Sequence, residues 1–300
     1  MNTVSGSGSS SPASGSSAAA ASAAMSVAAR LGVASTEPEV LADGANVIVH
    51  LRPAPVVAKV PASTTAVRPD PAAWLRRELD MALFLDRAGI PVMTPASEVP
   101  ATVHRGEGHV MSFWTYLAPS GTAPSSTARP DEGTIGSMLR DLHEALRDYP
   151  GSLPVMPGLG DIPAFLARPS TMLSAADTDL LGTAYRQLTA ELASAMTGAT
   201  VSQALHGDAG AGNIMAVGGR WIWHDFEDTC TGPIEWDLAA TTASPRLDRS
   251  RILAAYGKPV DEARLRLCQR LRRLHLTIWY ALYAERLPAC RARAAELLES

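Results

Sequence analysis

The stretch Ala204-Leu-His-Gly-Asp-Ala-Gly-Ala-Gly-Asn213, followed after a strand-like run by His224-Asp-Phe-Glu-Asp228, decides how this chain reads. Ala204-Leu205 leads in as a short apolar strand. Asp208 to Gly212 is a loop of glycine and small residues, able to fold tightly and carry side chains back toward one point. Asn213 stands at its exit. Ile214 to Val217 and Arg220 to His224 flank Gly218-Gly219, a pair that supplies the positive φ angles of a tight turn, so residues 214 to 224 read as a hairpin that returns Asp225 beside Asn213. Two carboxylates and an amide in one such unit suit a magnesium ion and a polyphosphate held against a hydroxyl. Mg²⁺ takes hard oxygen ligands and keeps several waters, so Asn213, Asp225 and nucleotide phosphates make a sufficient set. Asp208 is then available to orient the attacking hydroxyl and take its proton.

The motifs His206-Gly-Asp208 with Asn213 five residues on, Asp225-Phe-Glu-Asp228, and Trp236-Asp237-Leu-Ala239 together resemble the aminoglycoside phosphotransferase and choline kinase group of the protein-kinase-like fold. The resemblance spans roughly residues 25 to 300. It implies an α+β, bilobal architecture, with an N-lobe of antiparallel sheet plus one helix (25 to 117) and a mainly helical C-lobe (118 to 300). The activity it implies is Mg²⁺-assisted transfer of the γ-phosphate of ATP, or GTP, to a hydroxyl of a small molecule such as an aminoglycoside-like or amino-alcohol acceptor.

Other parts then acquire roles by resemblance. Lys59, in the β-favouring run Val56 to Val60, is the candidate for the α- and β-phosphates. Glu78 is its expected ion-pair partner, on a helix over 71 to 88 that Asp70-Pro71 opens and Gly89 with Pro91 closes. Gly44 and Asn46 lie in the turn that would cover the phosphates. Thr115 and Leu117 end Phe113-Trp-Thr-Tyr-Leu117, which resembles the hinge that receives adenine. His206 and Asp237 are expected to brace the catalytic loop.

Three departures matter. Protein kinases carry a lysine two residues after the catalytic aspartate and many small-molecule members a histidine; this chain has Gly210. Glu227 stands where protein kinases have the glycine after Asp-Phe, as a metal-side carboxylate or a solvent-facing residue. Only eleven residues separate Asp225 from Asp237, too few for the activation segment that docks peptides, which favours a small acceptor.

Read without the resemblance, Asp208, Asn213 and Asp225 are also ordinary turn-capping residues. A second class stays open: His206, Asp208, His224 and Asp225 as metal ligands of a phosphohydrolase. A third is a nucleotide-binding scaffold without turnover. Acidic residues of the acceptor half, Asp131, Glu132, Asp161, Glu227, Asp228 and Glu235, point to a cationic acceptor.

Composition is that of a globular chain with a sizeable core: 300 residues, 46% hydrophobic, 19% charged. The net charge of −4 gives no reason to expect nucleic acid. Residues 258 to 300 carry nine Lys/Arg against five Asp/Glu, read as a solvated helix face. Cys230, Cys268 and Cys290 are odd in number and widely spaced, which suits a reducing, cytoplasmic setting. No apolar run is long enough to span a bilayer, so no membrane partner is expected. Residues 1 to 24 are Ser, Gly or Ala at nineteen positions and carry no charge. They read as a disordered leader before Met25, where the true start of the protein is an alternative. Pro119 to Pro130 reads as the connection between lobes. Helices are expected over 131–148, 161–168, 174–197, 234–242, 246–256, 260–284 and 288–299, the longest burying Leu267, Leu271, Leu274, Ile278 and Leu282. Trp221, Trp223 and Trp236 read as packing residues.

Overall fold

The structure, a computed structural model, describes residues 15–117, 129–156, 158–196 and 202–299. Two compact units emerge. One holds the described residues up to Arg129 together with Gly212–Glu227, and the other the described residues of Pro130–Ala211 and Asp228–Ser300. The hairpin that carries Asn213 and Asp225 therefore belongs to the first unit, whereas the sequence placed it in the second. Its strands follow Asp208 in the chain but hydrogen-bond to the first unit's backbone, with Met93 N–H donating to Trp223 O and Trp223 N–H to Pro91 O.

The first unit is built on a five-stranded antiparallel sheet in the order β1-β2-β3-β5-β4. The strands are β1 (Ser35–Asp43), β2 (Asn46–Pro53), β3 (Val56–Pro61), β4 (His104–Gly106) and β5 (His109–Thr115). Alternation along β2 and β3 sends Val47, Val49, Leu51, Val56, Ala58 and Val60 into one core. Lys59 pairs with Ile48 and Ser112 across the sheet, so it sits on the opposite face from that core. Helix α2 (Pro71–Arg87) starts as its residues dictate, with Pro71 in the first turn and the Asp70 side chain accepting the Ala73 N–H.

A second helix of this unit overturns the reading of residues 15 to 24 as part of a disordered leader. Residues 15 to 24 form the first part of α1 (Gly15–Arg30), whose Ala20, Ala23, Ala24, Val27 and Ala28 pack into the sheet core, and Met25 lies within it. Those positions follow the i, i+3, i+4, i+7 rule of a helix face. In a run of Ala and Ser that face has almost no contrast with the others, which is why composition concealed it. Residues 1 to 14 and most of the expected connection 119 to 130 lie outside the described residues.

The second unit is helical: α3 (Glu132–Leu146), α4 (Gly158–Leu166), α5 (Ala175–Ala195), α6 (Glu235–Thr241), α7 (Arg249–Tyr256), α8 (Glu262–Arg286) and α9 (Arg291–Glu299). Strands β6 (Gln203–Leu205) and β9 (Cys230–Gly232) pair antiparallel between them. Asp131, Ser174, Asp248 and Asp261 cap α3, α5, α7 and α8 by accepting backbone N–H groups. On α8 the stripe Leu267, Leu271, Leu274, Ile278 and Leu282 is buried. Among the described residues no helix is long and apolar enough to cross a membrane.

Candidate active site

The expected site residues fall into two groups, one in each unit. In the first unit the hairpin β7 (Ile214–Val217) and β8 (Arg220–Trp223) turns at Gly218 and Gly219, both at positive φ. Ile214 pairs with Trp223, and His224 N–H donates to Asn213 O at 3.0 Å, so the hairpin brings Asn213 and Asp225 to its open end. Asp225 has φ +67°, a left-handed backbone uncommon for a residue with a side chain.

The Asp225 carboxylate reaches Lys59, whose ammonium lies 2.6 Å from Asp225 Oδ1, 2.8 and 2.9 Å from Glu78 Oε1 and Oε2, and 2.8 Å from Glu227 Oε2. Three carboxylates therefore share one ammonium, all of it buried except part of Asp225. Burial alone would lower the Lys59 pKa; Asp225, Glu227 and Glu78 outweigh it and hold the ammonium well above its ordinary range. Glu78 feels the opposite balance. Burial, with the like charges of Asp225 and Glu227, pushes its carboxyl up to about 8 against the pull of Lys59.

Glu227 is neither solvent-facing nor at a glycine-like position. It is 1% exposed, accepts from Asn46 Nδ2 at 2.9 Å, and has the Arg68 guanidinium 3.9 Å away. Asn46 is thereby tied to the end of the Asp225 segment, while its own buried Oδ1 has no hydrogen-bond partner. Gly44 closes the β1–β2 turn through its N–H to Asn46 O. At the expected hinge, Thr115 N–H donates to Thr94 O, so that amide is engaged within the sheet, and Leu117 is half-buried at the end of the described segment.

In the second unit the loop that carries Asp208 hangs from α6. Asp237, wholly buried, accepts the His206 N–H at Oδ2 and the Gly207 N–H at Oδ1, both at 2.9 Å. Its Oδ2 also takes His143 Nε2 at 3.1 Å, and His143 Nδ1 lies 2.9 Å from the Tyr256 hydroxyl. A carboxylate only accepts, so His143 carries its proton on Nε2 and Nδ1 accepts from Tyr256. Burial works against the Asp237 carboxylate; the His143 hydrogen bond and the neighbouring His143, His206 and Arg272 together outweigh it and hold the pKa below the usual range. Gly207 has φ +85°, and a Cβ there would fall 1.8 Å from Asp228 O, so only glycine fits. His206 is buried and its Nδ1 accepts the Asp208 N–H at 3.3 Å. Thr241 Oγ1 donates to Ala209 O and Trp236 Nε1 to Gly207 O.

Asp208 itself is met by a residue that the sequence assigns to a solvated face. Arg272 of α8 is buried, donates from Nη1 to Asp208 Oδ1 at 3.0 Å and from Nη2 to Gly207 O, and lies 4.1 Å over the Trp236 ring. Its place follows from α8 packing on α6. Two helical turns earlier Arg264 grips Glu235 at 2.9 and 3.1 Å, which fixes the same face of α8 against that helix. No motif marks Arg272. It lies 64 positions beyond Asp208 in the chain and is flanked by exposed arginines.

The donors at the hairpin fit a magnesium ion in kind, being the Asn213 amide, the Asp225 carboxylate and the partnerless Asn46 Oδ1 oxygen. Among the described residues no group of three or more His, Cys, Asp or Glu could hold a metal. Mg²⁺ needs no such cage, and His206 serves as a brace of its own loop. The acidic residues read as pointing to a cationic acceptor mostly have partners within the fold. Asp131 caps α3, Glu132 accepts the Asp248 N–H, Asp161 faces His275, Glu235 holds Arg264, and Glu227 belongs to the first unit.

With this geometry in view, comparison with known proteins is informative. Residues 41–268 match the model of the APH phosphotransferase enzyme family. The chain belongs to that family and is a phosphotransferase. Among curated protein sequences none matches. Solved structures similar over most of their length include amicoumacin kinase hAmiN in complex with AMP-PNP, Ca²⁺ and Ami (TM-score 0.69, 14% identity, 92% of each chain). Others are a microcompartment-associated aminopropanol kinase (0.63, 18%, 88% of this chain and 89% of that one) and choline kinase LicA from Streptococcus pneumoniae (0.63, 15%, 92% and 97%). At these identities the likeness is one of fold, and the fold is protein-kinase-like.

Proposed function

We propose that this phosphotransferase moves the γ-phosphate of Mg-ATP, or of Mg-GTP, to a hydroxyl of a small, amine-bearing molecule. The observation that carries the reading is the buried cluster in which Lys59, Glu78 and Asp225 meet within one unit. It supports a lysine held for phosphate by a glutamate, beside a carboxylate aimed from the hairpin. Asn213 and Asp225 would hold Mg²⁺, which supplies neutralisation of phosphate charge when bound. Lys59 would bind the nucleotide phosphates, with Glu78 keeping the ammonium in place. Gly44 and Asn46 would lie over the phosphates, and Leu117 would offer backbone to the base. Asp208 would orient the acceptor hydroxyl and take its proton as the oxygen–phosphorus bond forms and the bond to the nucleoside diphosphate breaks. His206 and Asp237 would hold the loop that carries it.

An acceptor of this class is supported by the neighbours, whose names point to aminopropanol, choline and the antibiotic amicoumacin, and by the short Asp225 to Asp237 segment. The test is ADP or GDP release with Mg-ATP or Mg-GTP across amino sugars, amino alcohols and sugar acids. Nucleotide binding without acceptor-dependent release for any of them would leave a silent scaffold as the better reading.

A further inference from the structure

We propose that Arg272 is a positioning residue for the phosphotransfer base, holding Asp208 as an oriented carboxylate from α8 in place of a cation within the loop itself. The inference rests on the reading of Asp208 as that base. Gly210 leaves the loop without a basic side chain two residues after Asp208, and no other cation lies within the loop from His206 to Asn213 apart from His206, whose Nδ1 accepts the Asp208 N–H. A positive group reaches Asp208 from elsewhere in the chain.

The geometry uses what distinguishes arginine from lysine. One Nη donates to the Asp208 carboxylate and the other to the Gly207 carbonyl, so adjacent groups of the loop are gripped by one planar fork. The face of that fork rests on Trp236, whose own Nε1 donates to the same Gly207 carbonyl. Asp208 and Arg272 are both buried, so neither charge is replaced by water if its partner is lost. Fixing Oδ1 on the guanidinium fixes the plane of the carboxylate. Burial would raise the Asp208 pKa, and the Arg272 guanidinium at hydrogen-bond distance works against it. A base tied in this way is ionised throughout the neutral range and limited by orientation rather than by its state of protonation.

The experiment compares Arg272→Met, Arg272→Lys and Asp208→Asn, following ADP formation from Mg-ATP with choline, 1-amino-2-propanol or kanamycin as acceptor and with water alone. Calorimetric affinity for Mg-ATP certifies each variant as folded; if Arg272→Met fails that check, Arg272→Gln replaces it. The expected result is that Asp208→Asn abolishes turnover. Arg272→Met should lower kcat at pH 7 by about tenfold through lost orientation, and its acid limb, which lies below the neutral range in wild type, should move up by about one pH unit, so that the deficit widens only as pH falls. The KM for Mg-ATP should stay near wild type, and Arg272→Lys should restore the wild-type limb. If Asp208→Asn abolishes turnover while Arg272→Met leaves both kcat and the limb unchanged, the base assignment stands and the role of Arg272 is overturned. If Asp208→Asn turns over normally, the base assignment fails and the proposal with it.

Discussion

Shortening the chain into α1 should destabilise the first unit, because the helix is part of its core. The informative pair is a chain beginning at Gly15 and one beginning at Met25, which differ only in the first ten residues of α1. Those ten include Ala20, Ala23 and Ala24, each essentially inaccessible against the sheet. At about 0.8 kcal/mol per buried methyl-sized group, the three contribute roughly 2.5 kcal/mol. The six residues left, Met25 to Arg30, are too few to hold a helix by themselves. Val27 and Ala28 should loosen too, taking the loss toward about 5 kcal/mol. For a unit of this size that is a fall in Tm of roughly 10 to 20 °C, to be read by calorimetry of the two chains under the same buffer. A second check is Ala24→Asp in the full chain, which places a carboxylate in that core and should cost about as much. Equal melting temperatures for the two shortened chains would refute the packing of α1 as an energetic element.

Three further outcomes follow from the site. Asn213→Ala and Asp225→Ala should both weaken Mg-ATP binding by calorimetry, Asp225→Ala more, because it removes a formal charge from the metal and one of the three carboxylates on Lys59. Unchanged affinity in both would reject the metal role. Lys59→Met and Glu78→Gln should be non-additive in kcat/KM by about 0.5 to 3 kcal/mol, since they touch; a coupling energy of zero would mean that Asp225 and Glu227 hold Lys59 unaided. Glu78 also sets a pH dependence. Its pKa rises from 4.5 to about 8 on folding, so the folded state binds the extra proton and loses stability as pH rises between those values. The depressed carboxylates Asp208, Asp225 and Asp237 act in the opposite sense, losing stability only as pH falls below the ordinary aspartate range. Urea unfolding of the metal-free protein between pH 5.5 and 8 should therefore decline more steeply for wild type than for Glu78→Gln, and parallel curves would contradict the assignment.

What was legible in the sequence was local. Capping residues, glycines and side-chain periodicity act over a few positions, so α2, the Gly218-Gly219 hairpin and the buried stripe of α8 could be read from residue order alone. The motif order carried the rest of the family reading, including the meeting of Lys59 with Glu78 across 19 residues. Two kinds of information were not local and were lost. Residues 15 to 24 are a helix because a sheet face accepts their small side chains, and nothing within an Ala–Ser run states that a partner exists. Arg272 is buried because Trp236 and Gly207 lie where α8 crosses α6, and in the sequence it is one arginine among nine basic residues. Glu227 lies between these cases. Its departure from glycine was visible, but its burial on Lys59 and Asn46 needed the fold. The substitution gives the Lys59 cluster a third carboxylate, so the metal-free first unit carries an excess of negative charge around one ammonium. That charge adds to the burial that raises the Glu78 pKa, and an incoming divalent cation at Asp225 would relieve the part due to charge. If Asp225 holds Mg²⁺ as proposed, the binding of the ion and the ionisation of Glu78 would be parts of one equilibrium.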